Sequence, residues 1–498
     1  MIPPKKVAEL KPVLVSNRLP IKLESVNDQW VVTPGTGGLV TALAPVLKNH
    51  EGIWIGWPGA EVTDEIREIL KISAADIGYR LETISLTRGE VENYYRGFSN
   101  GALWPLFHDL LDHCNFDSSH WETYQRVNYK FAREIAEVAR DYSFVWVQDY
   151  QLILVGLFLN EMGFRDRTAF FFHVPFPPKD IFIKLPWRQE ILEALLAYRL
   201  IGFQTERDRR NFIHCVHHLI PSAHFSHHRK YPFIKYESNI SRIGAFPISI
   251  DFNYFNQLAR TKEVNDAAWY IHEKYPDQKI ILGIDRLDYT KGIPHRLLAF
   301  ENCLERYPEL MENVVLVQVV VPSRTEVAEY QQMKRQIDEM VGRINSRFTT
   351  RGWVPIHYIY GTLEQIELLG YYKASEIALI TPLKDGMNLV AKEYCAARYD
   401  NLGTLILSEF AGAASRLYVG AILVNPYNLE EVADAIYQAF YMSHEEQKRR
   451  MQKLRAEIRK NNVFKWVEQF VKSFHFSSES VKSRKEDITE PFTVSSDL

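Results

Sequence analysis

Eleven short runs of apolar, β-branched and aromatic residues recur along the chain, at 12–16, 52–57, 144–148, 168–173, 200–204, 279–284, 314–321, 356–360, 377–381, 403–408 and 421–424. Strands with one wet face alternate apolar and polar residues, and these runs do not alternate. Continuous runs suit strands buried on both faces, as in parallel sheets covered by helices. The stretches between them have helical spacing; in residues 189–200, Ile191, Leu192, Leu195 and Leu196 form one apolar stripe. Strand–helix alternation of this kind predicts α/β layers. At 498 residues the chain exceeds what one core holds, so two domains are expected. The boundary is expected near Gly244-Ala-Phe-Pro-Ile-Ser-Ile-Asp251, after which the alternation restarts. The domains are thus read as 1–247 and 248–473, both doubly wound. Two such domains facing each other would put a cleft at the carboxyl ends of their strands, where ligands bind. Residues 474–498 turn to Ser, Lys, Glu and Thr and are expected to form a disordered tail.

Charge excludes some functions. The 59 basic and 62 acidic residues leave a formal charge of −3, which gives no support to nucleic-acid binding across the surface. Attraction for phosphate must come from a few placed Arg and Lys residues. Cys114, Cys215, Cys303 and Cys395 are far apart and read as reduced thiols. The first residues lack the apolar core of a signal peptide, and no apolar run reaches the ~20 residues needed to span a bilayer. A cytoplasmic protein is expected.

The chemistry-bearing motifs sit just after the apolar runs. In Thr381-Pro-Leu-Lys-Asp-Gly-Met-Asn-Leu-Val-Ala-Lys-Glu-Tyr394 a strand ends, a loop carries Asp385, and a helix begins near Asn388. The N–H groups of a first helical turn form a ready site for a diphosphate. Asp385 is placed to accept from sugar hydroxyls, and Glu393 lies one to two turns further, suited to a ribose diol. A capped helix beside a plain loop would look the same in isolation. In Gly283-Ile-Asp-Arg-Leu-Asp-Tyr-Thr-Lys-Gly292, Arg286 and Lys291 bracket a loop ending in glycine, suited to phosphate. It is neither a Walker loop nor a GxGxxG turn, and two solvated cations are its bland alternative. Phe171-Phe-His-Val-Pro-Phe-Pro177 sets His173 at a strand end before prolines that fix the loop. Weaker candidates are Val15-Ser-Asn-Arg-Leu-Pro20, Thr36-Gly-Gly-Leu39, Gly56-Trp-Pro-Gly59, Tyr94-Tyr95, Asn100-Gly-Ala-Leu-Trp-Pro105 and Gln148-Asp-Tyr-Gln151. By default Trp57, Tyr95 and Trp104 would be core aromatics.

Taken in order, these segments closely resemble the trehalose-6-phosphate synthase family, whose marks include SNRLP, GGL, FSNxxLWP, HxPFP, RLDYxKG and DGMNLVAKEY. The resemblance runs from about residue 12 to 473, and 385–394 carries DGMNLVAKEY unchanged. It implies two facing Rossmann-like domains in the GT-B arrangement and transfer of glucose from a nucleotide donor, UDP-glucose foremost, to glucose 6-phosphate with retention. It further implies that Arg286 and Lys291 hold the donor diphosphate, that Asn388, Leu389 and Val390 offer backbone donors, and that Glu393 binds the ribose. Asp385, His173 and Gly38 would contact the donor glucose. Arg18, Tyr95 and Arg324 would hold the acceptor phosphate, with Trp57, Trp104 and Asp149 shaping the acceptor sugar pocket.

The residue types suit that chemistry. Departure of a nucleoside diphosphate develops negative charge, which Arg286, Lys291 and a helix N-terminus stabilise. The two-carboxylate arrangement of glycoside hydrolases is not evident. With no Asp-x-Asp pair in the chain, no metal is required to bridge the diphosphate, and no cofactor is expected. The partners are small molecules, a nucleotide-glucose and a sugar phosphate, without nucleic acid or membrane and with a homo-oligomer left open. The chain departs from the family where HDYHL reads Gln148-Asp-Tyr-Gln-Leu152, where the glutamate before RLDY is Asp285, and where the glycine of FPIGID is Ser249. The two glutamines keep glycerol 3-phosphate, the acceptor of glucosylglycerol-phosphate synthases, as the alternative. A silent regulatory subunit would be expected to have lost the diphosphate cations or Asp385, and all are present.

Overall fold

The computed structural model describes residues 11–26, 29–35, 40, 43, 44, 47, 48, 52–226, 232–324 and 327–475. The chain divides into two compact units, one of residues up to Pro247 plus those from Phe464 onward, the other Ile248–Val463.

In the first unit the strands are β1 (Pro12–Arg18), the hairpin β2 (Ile21–Val26) and β3 (Gln29–Pro34), β4 (Ile53–Trp57), β5 (Arg80–Thr83), β6 (Phe144–Gln148), β7 (Thr168–Phe171), β8 (Leu200–Phe203), β9 (His224–Phe225), β10 (Phe233–Tyr236) and β11 (Asn239–Ala245). They form a nine-stranded sheet ordered β5-β4-β1-β6-β7-β8-β11-β10-β9, with the β2–β3 hairpin apart. It is parallel from β5 through β11, and β10 and β9 extend it antiparallel. The runs in β1, β4 and β6 are buried along nearly their whole length, as strands covered on both faces must be. The order reverses between β1 and β6, so the ends of those strands flank a switch point where ligands bind in such sheets.

The second unit holds β12 (Lys279–Arg286), β13 (Val314–Val321), β14 (Ile356–Tyr360), β15 (Ile377–Ile380), β16 (Thr404–Ser408) and β17 (Ile422–Val424). All pair parallel in the order β14-β13-β12-β15-β16-β17, the doubly wound arrangement, and the reversal lies between β12 and β15. Core residues such as Ile281, Leu316, Leu379 and Ile406 are packed beneath helices 293–306 and 429–440.

The last helix, Val463–His475, differs from the expected domain bounds. The sequence assigns residues up to 473 to the second domain, whereas this helix packs on the first unit. Phe470 stacks on Trp146 at 4.4 Å between ring centroids, Trp466 Nε1–H donates to the Phe246 carbonyl at 2.9 Å, and Arg242 donates to the Ser473 carbonyl at 2.7 Å. Its buried stripe of Trp466, Val467, Phe470, Val471 and Phe474 covers aromatic surface at the sheet. The tail expected over 474–498 lies outside the described residues, except that Phe474 and His475 complete this helix.

Candidate active site

The constellation of the first unit starts from Arg18, where β1 runs out. Ser16 Oγ donates to the Arg18 carbonyl at 2.6 Å and accepts from Trp54 Nε1 at 2.7 Å, which pins the strand end. The Arg18 guanidinium lies over the Trp57 ring, 4.7 Å from its centroid. Gly59, at φ +96°, makes that possible, since a Cβ there would stand 2.1 Å from an Arg18 nitrogen. Trp57 is itself fixed by its Nε1–H to the Ala60 carbonyl at 3.1 Å and meets Tyr95 edge-on at 6.4 Å. Arg18, Trp57 and Tyr95, from three segments, therefore converge at the carboxyl ends of β1 and β4.

Tyr95 rides on residues Val91–Leu103, which coil with wider turns than an α-helix, the Trp104 N–H reaching the Ser99 carbonyl five residues back. Such turns are rare and favour functional positions. The neighbouring Tyr94 hydroxyl donates to Asn17 Oδ1 at 2.9 Å, tying this segment to β1. Trp104 is buried against Tyr150 at 5.7 Å, and Tyr150 in turn donates to Asn100 Oδ1 at 2.9 Å.

Asp149 follows β6 with φ +69°, a conformation costly for a residue with a Cβ. Its Oδ1 accepts the His173 N–H at 3.1 Å, and burial pushes its carboxyl up to about 7. His173 is buried, with Nε2 2.9 Å from Gln148 Oε1 and Nδ1 3.3 Å from Gln204 Nε2. Gln148 also donates from Nε2 to the Trp146 carbonyl at 3.3 Å, so its Oε1 is the atom turned to the ring. His173 therefore donates through Nε2 and accepts at Nδ1, and burial depresses its pKa to about 3, so the ring is neutral. Both ring nitrogens are engaged inside the fold. The glutamine that departs from the family pattern is the partner of this histidine.

In the second unit, β12 and β15 carry the two loops that flank the switch point. Arg286 ends β12 with its side chain exposed. Lys291 is not a solvated cation: it is buried, with Nζ 2.5 Å from Asp385 Oδ2 and both side chains 11% exposed. Asp385 also accepts from the Met387 N–H at 3.2 Å and from Asn388 Nδ2 at 3.4 Å. A further loop braces this one, with Gly412 N–H donating to the Asp385 carbonyl at 2.8 Å and Ala413 N–H to the Met387 carbonyl at 2.7 Å. Asn388, at φ +66°, caps the helix Leu389–Ala397 by accepting from the Ala391 N–H. The N–H groups of Leu389 and Val390 then have no partner within the helix, and they point out of its positive end. Glu393 accepts from the Tyr372 hydroxyl at 2.9 Å, and burial pushes its carboxyl up to about 7.

Arg324, in the second unit at φ +48°, faces Asp288 at 3.6 Å and donates to Tyr330. Burial alone would raise the Asp288 carboxyl, but Arg324, Lys291 and the Thr290 N–H together hold it below the usual carboxylate range. Gly38 lies outside the described residues. Asp288, Tyr330, Tyr372, Gln148 and Gln204 were not singled out as site residues from the sequence. Asp288 and Gln148 sit inside quoted motifs, which was the available signal. Tyr330, Tyr372 and Gln204 lie among many similar residues and gave none.

The trehalose-6-phosphate synthase of Mycobacterium avium (strain 104) is 41% identical over 468 residues, covering 92% of this chain and 94% of that protein. The UDP-forming alpha,alpha-trehalose-phosphate synthase of Burkholderia xenovorans, solved in complex with glucose-6-phosphate, matches with a TM-score of 0.84 at 33% identity over 93% of this chain and 99% of its own. The E. coli protein solved bound with UDP-2-fluoro glucose gives a TM-score of 0.84 at 32% identity over 94% of this chain and 99% of its own. Residues 10–476, with both strand-end constellations inside them, match the profile of Glycosyltransferase family 20, and the chain belongs to that family.

Proposed function

We propose that this enzyme transfers glucose from a nucleotide-glucose, UDP-glucose foremost, to glucose 6-phosphate with retention, giving trehalose 6-phosphate. The carrying observation is the pair of loops at the second unit's switch point, which sets Arg286 and Lys291 on one side and the open helix turn of Leu389 and Val390 on the other. Preorganised cations and N–H donors of this kind stabilise the charge that develops on a departing diphosphate. In this reading Glu393 accepts from the ribose diol, and Asp385 orients Lys291 and meets the donor glucose. Gly38 and His173 are likewise assigned to that glucose, His173 exchanging a glutamine partner for a sugar hydroxyl. The acceptor hydroxyl attacks on the face the diphosphate leaves, and the leaving phosphate takes its proton.

The acceptor set is Arg18, Tyr95 and Arg324 for the phosphate, with Trp57, Trp104 and Asp149 for the sugar. A guanidinium stacked on an indole offers a planar fork to phosphate that a lysine would not reproduce. The relative solved with glucose-6-phosphate favours that acceptor over glycerol 3-phosphate. A cytoplasmic setting belongs to this reading and is supported by the four unpaired cysteine thiols, which a reducing compartment keeps.

Purified protein assayed with UDP-, GDP- and ADP-glucose against glucose 6-phosphate, glucose and glycerol 3-phosphate tests this reading. UDP-glucose with glucose 6-phosphate is expected to be the best pair, yielding an α,α-linked product by NMR. Preference for glycerol 3-phosphate would overturn the acceptor, and a β-linked product would overturn the retaining mechanism.

A further inference from the structure

The most deeply buried cation near the donor loops is one that no role has yet used. Arg296, on the helix Ile293–Arg306, is 1% exposed. Each guanidinium nitrogen points to a different strand. Nε donates to Thr381 Oγ1 at 3.1 Å just past β15, one terminal nitrogen donates to Gln318 Oε1 at 3.2 Å on β13, and the other lies 2.7 Å from Asp285 Oδ2 on β12. Gln318 is held in that orientation by its own Nε2, which donates to the Gly283 and Val319 carbonyls. The strand gives up a side chain to seat the group: a Cβ at Gly283 would stand 2.5 Å from Gln318 Oε1 and 2.9 Å from an Arg296 nitrogen.

The place of this fork matters more than its burial. The register of β12 with β13 runs the full strand, to Arg286 against Val321. The register of β12 with β15 covers only Ile281 with Ile377 and Leu282 with Ala378. Beyond that point the two strands part, as they must at a switch point, and both donor loops leave from the parted ends. Asp285 immediately precedes Arg286, and Thr381 opens the loop that leads to Asp385. Arg296 thus bridges the opening just below the donor residues. Above it the loops also meet through the Leu383 and Lys384 N–H groups, which reach the Thr290 carbonyl at 2.8 and 3.4 Å, and through the Lys291–Asp385 pair. A buried ion pair commonly stabilises no better than apolar side chains of the same volume, so stability alone does not account for one here.

We propose that Arg296 is a positioning residue for the transfer reaction, fixing the spacing between the Arg286–Lys291 loop and the Asp385–Val390 turn so that both meet one donor diphosphate. The inference rests on the donor-site reading above. A lysine in its place keeps the charge near Asp285 but cannot reach Asp285, Gln318 and Thr381 at once.

The test measures steady-state kinetics and thermal melting of Arg296→Lys, Thr381→Val and Thr381→Ser in the full chain with UDP-glucose and glucose 6-phosphate. Wild-type turnover is measured first; its absence overturns the donor reading and this inference together. Arg296→Lys is expected to lower kcat/KM for UDP-glucose about a hundredfold, the scale of an ångström-sized misplacement, while the glucose 6-phosphate KM stays within about twofold. Thr381→Val, nearly isosteric and removing one arm of the fork, is expected to shift the donor parameters alone by about tenfold, and Thr381→Ser to restore them. Should Arg296→Lys fail to fold, the Thr381 pair decides. Donor kinetics within about twofold of wild type in folded Arg296→Lys or in Thr381→Val would overturn the inference while leaving the transferase reading intact. So would a loss in Thr381→Val that falls equally on donor and acceptor.

Discussion

Replacing Arg286 and Lys291 by alanine, one at a time, probes two cations on one loop in opposite environments. The Arg286 side chain is exposed at the end of β12 and makes no hydrogen bond among the described residues. Its removal strands no buried group, so stability should change by about 0.5 kcal/mol or less. Lys291 is buried against Asp385 at 2.5 Å, and its removal leaves a carboxylate that is 11% exposed without its counter-charge. Breaking a buried pair from one side costs about 3–5 kcal/mol. Because Asp385 keeps the Met387 N–H and Asn388 Nδ2 as donors, the lower end of that range applies. At about 2–4 °C per kcal/mol for a unit of this size, Lys291→Ala should lower Tm by roughly 6–12 °C and Arg286→Ala by no more than about 2 °C. Catalysis should not follow that order, since each variant loses a charged contact to the leaving diphosphate, worth about a hundredfold in kcat. Calorimetric melting beside kinetics with saturating acceptor reads both quantities. Equal melting of the two variants would refute the buried-clamp argument, and near-normal kcat in Arg286→Ala would refute its place on the diphosphate.

Four further outcomes follow. Glu393, with its carboxyl near 7 in the fold against an ordinary value near 4.3, is increasingly protonated below neutrality; UDP-glucose affinity by calorimetry should therefore weaken as pH falls from 8 to 6, and Glu393→Gln should flatten that profile. The raised carboxyls of Glu393 and Asp149 give stability that is fully present below their ordinary values and is lost as pH rises through about 7, so Glu393→Gln should also reduce the fall in Tm between pH 5 and 8. Arg18→Ala should raise the glucose 6-phosphate KM roughly tenfold to a hundredfold, the loss of a charged hydrogen bond of about 1.5–3 kcal/mol, with the UDP-glucose KM little changed. His173 nitrogen shifts should report a neutral ring protonated at Nε2 from pH 5 to 8, and a titration inside that window would contradict the glutamine clamp.

The most legible strands are those buried along nearly their whole length, because a run such as 314–321, apolar at all but Gln318, leaves little to hide the pattern. The partly buried β14 and β17 at the sheet edges are legible from their apolar content alone. The strands the sequence hid are short or only partly buried. β5 has four residues with one buried, and β11 mixes buried and exposed positions, so neither rises above the surrounding loops. The final helix was hidden differently. Its apolar stripe is plain, but a stripe does not say which unit it will cover. The match to Trp146 and Phe246 is made across more than two hundred positions of chain.

The site shows the same division between position and pairing. Strand ends followed by Arg, Lys, Asp or His could be read directly, and those side chains are where the loops of a doubly wound sheet carry them. Their partners could not be read, since Lys291 and Asp385 are ninety-four residues apart and Arg296 reaches three strands at once. Gln148 shows how a pattern misleads when pairing is unknown. As a departure from the family's histidine it casts doubt on the acceptor. In the fold it is fully buried, its Nε2 given to the Trp146 carbonyl and its Oε1 to the His173 ring. A group so engaged sets the protonation of His173 before it touches any ligand. Gln151 is partly buried, and its carbonyl accepts from Asn128. The glutamine at 148 therefore bears first on the histidine at the end of β7, and in the proposed reading acceptor choice is assigned to the Arg18 guanidinium over Trp57.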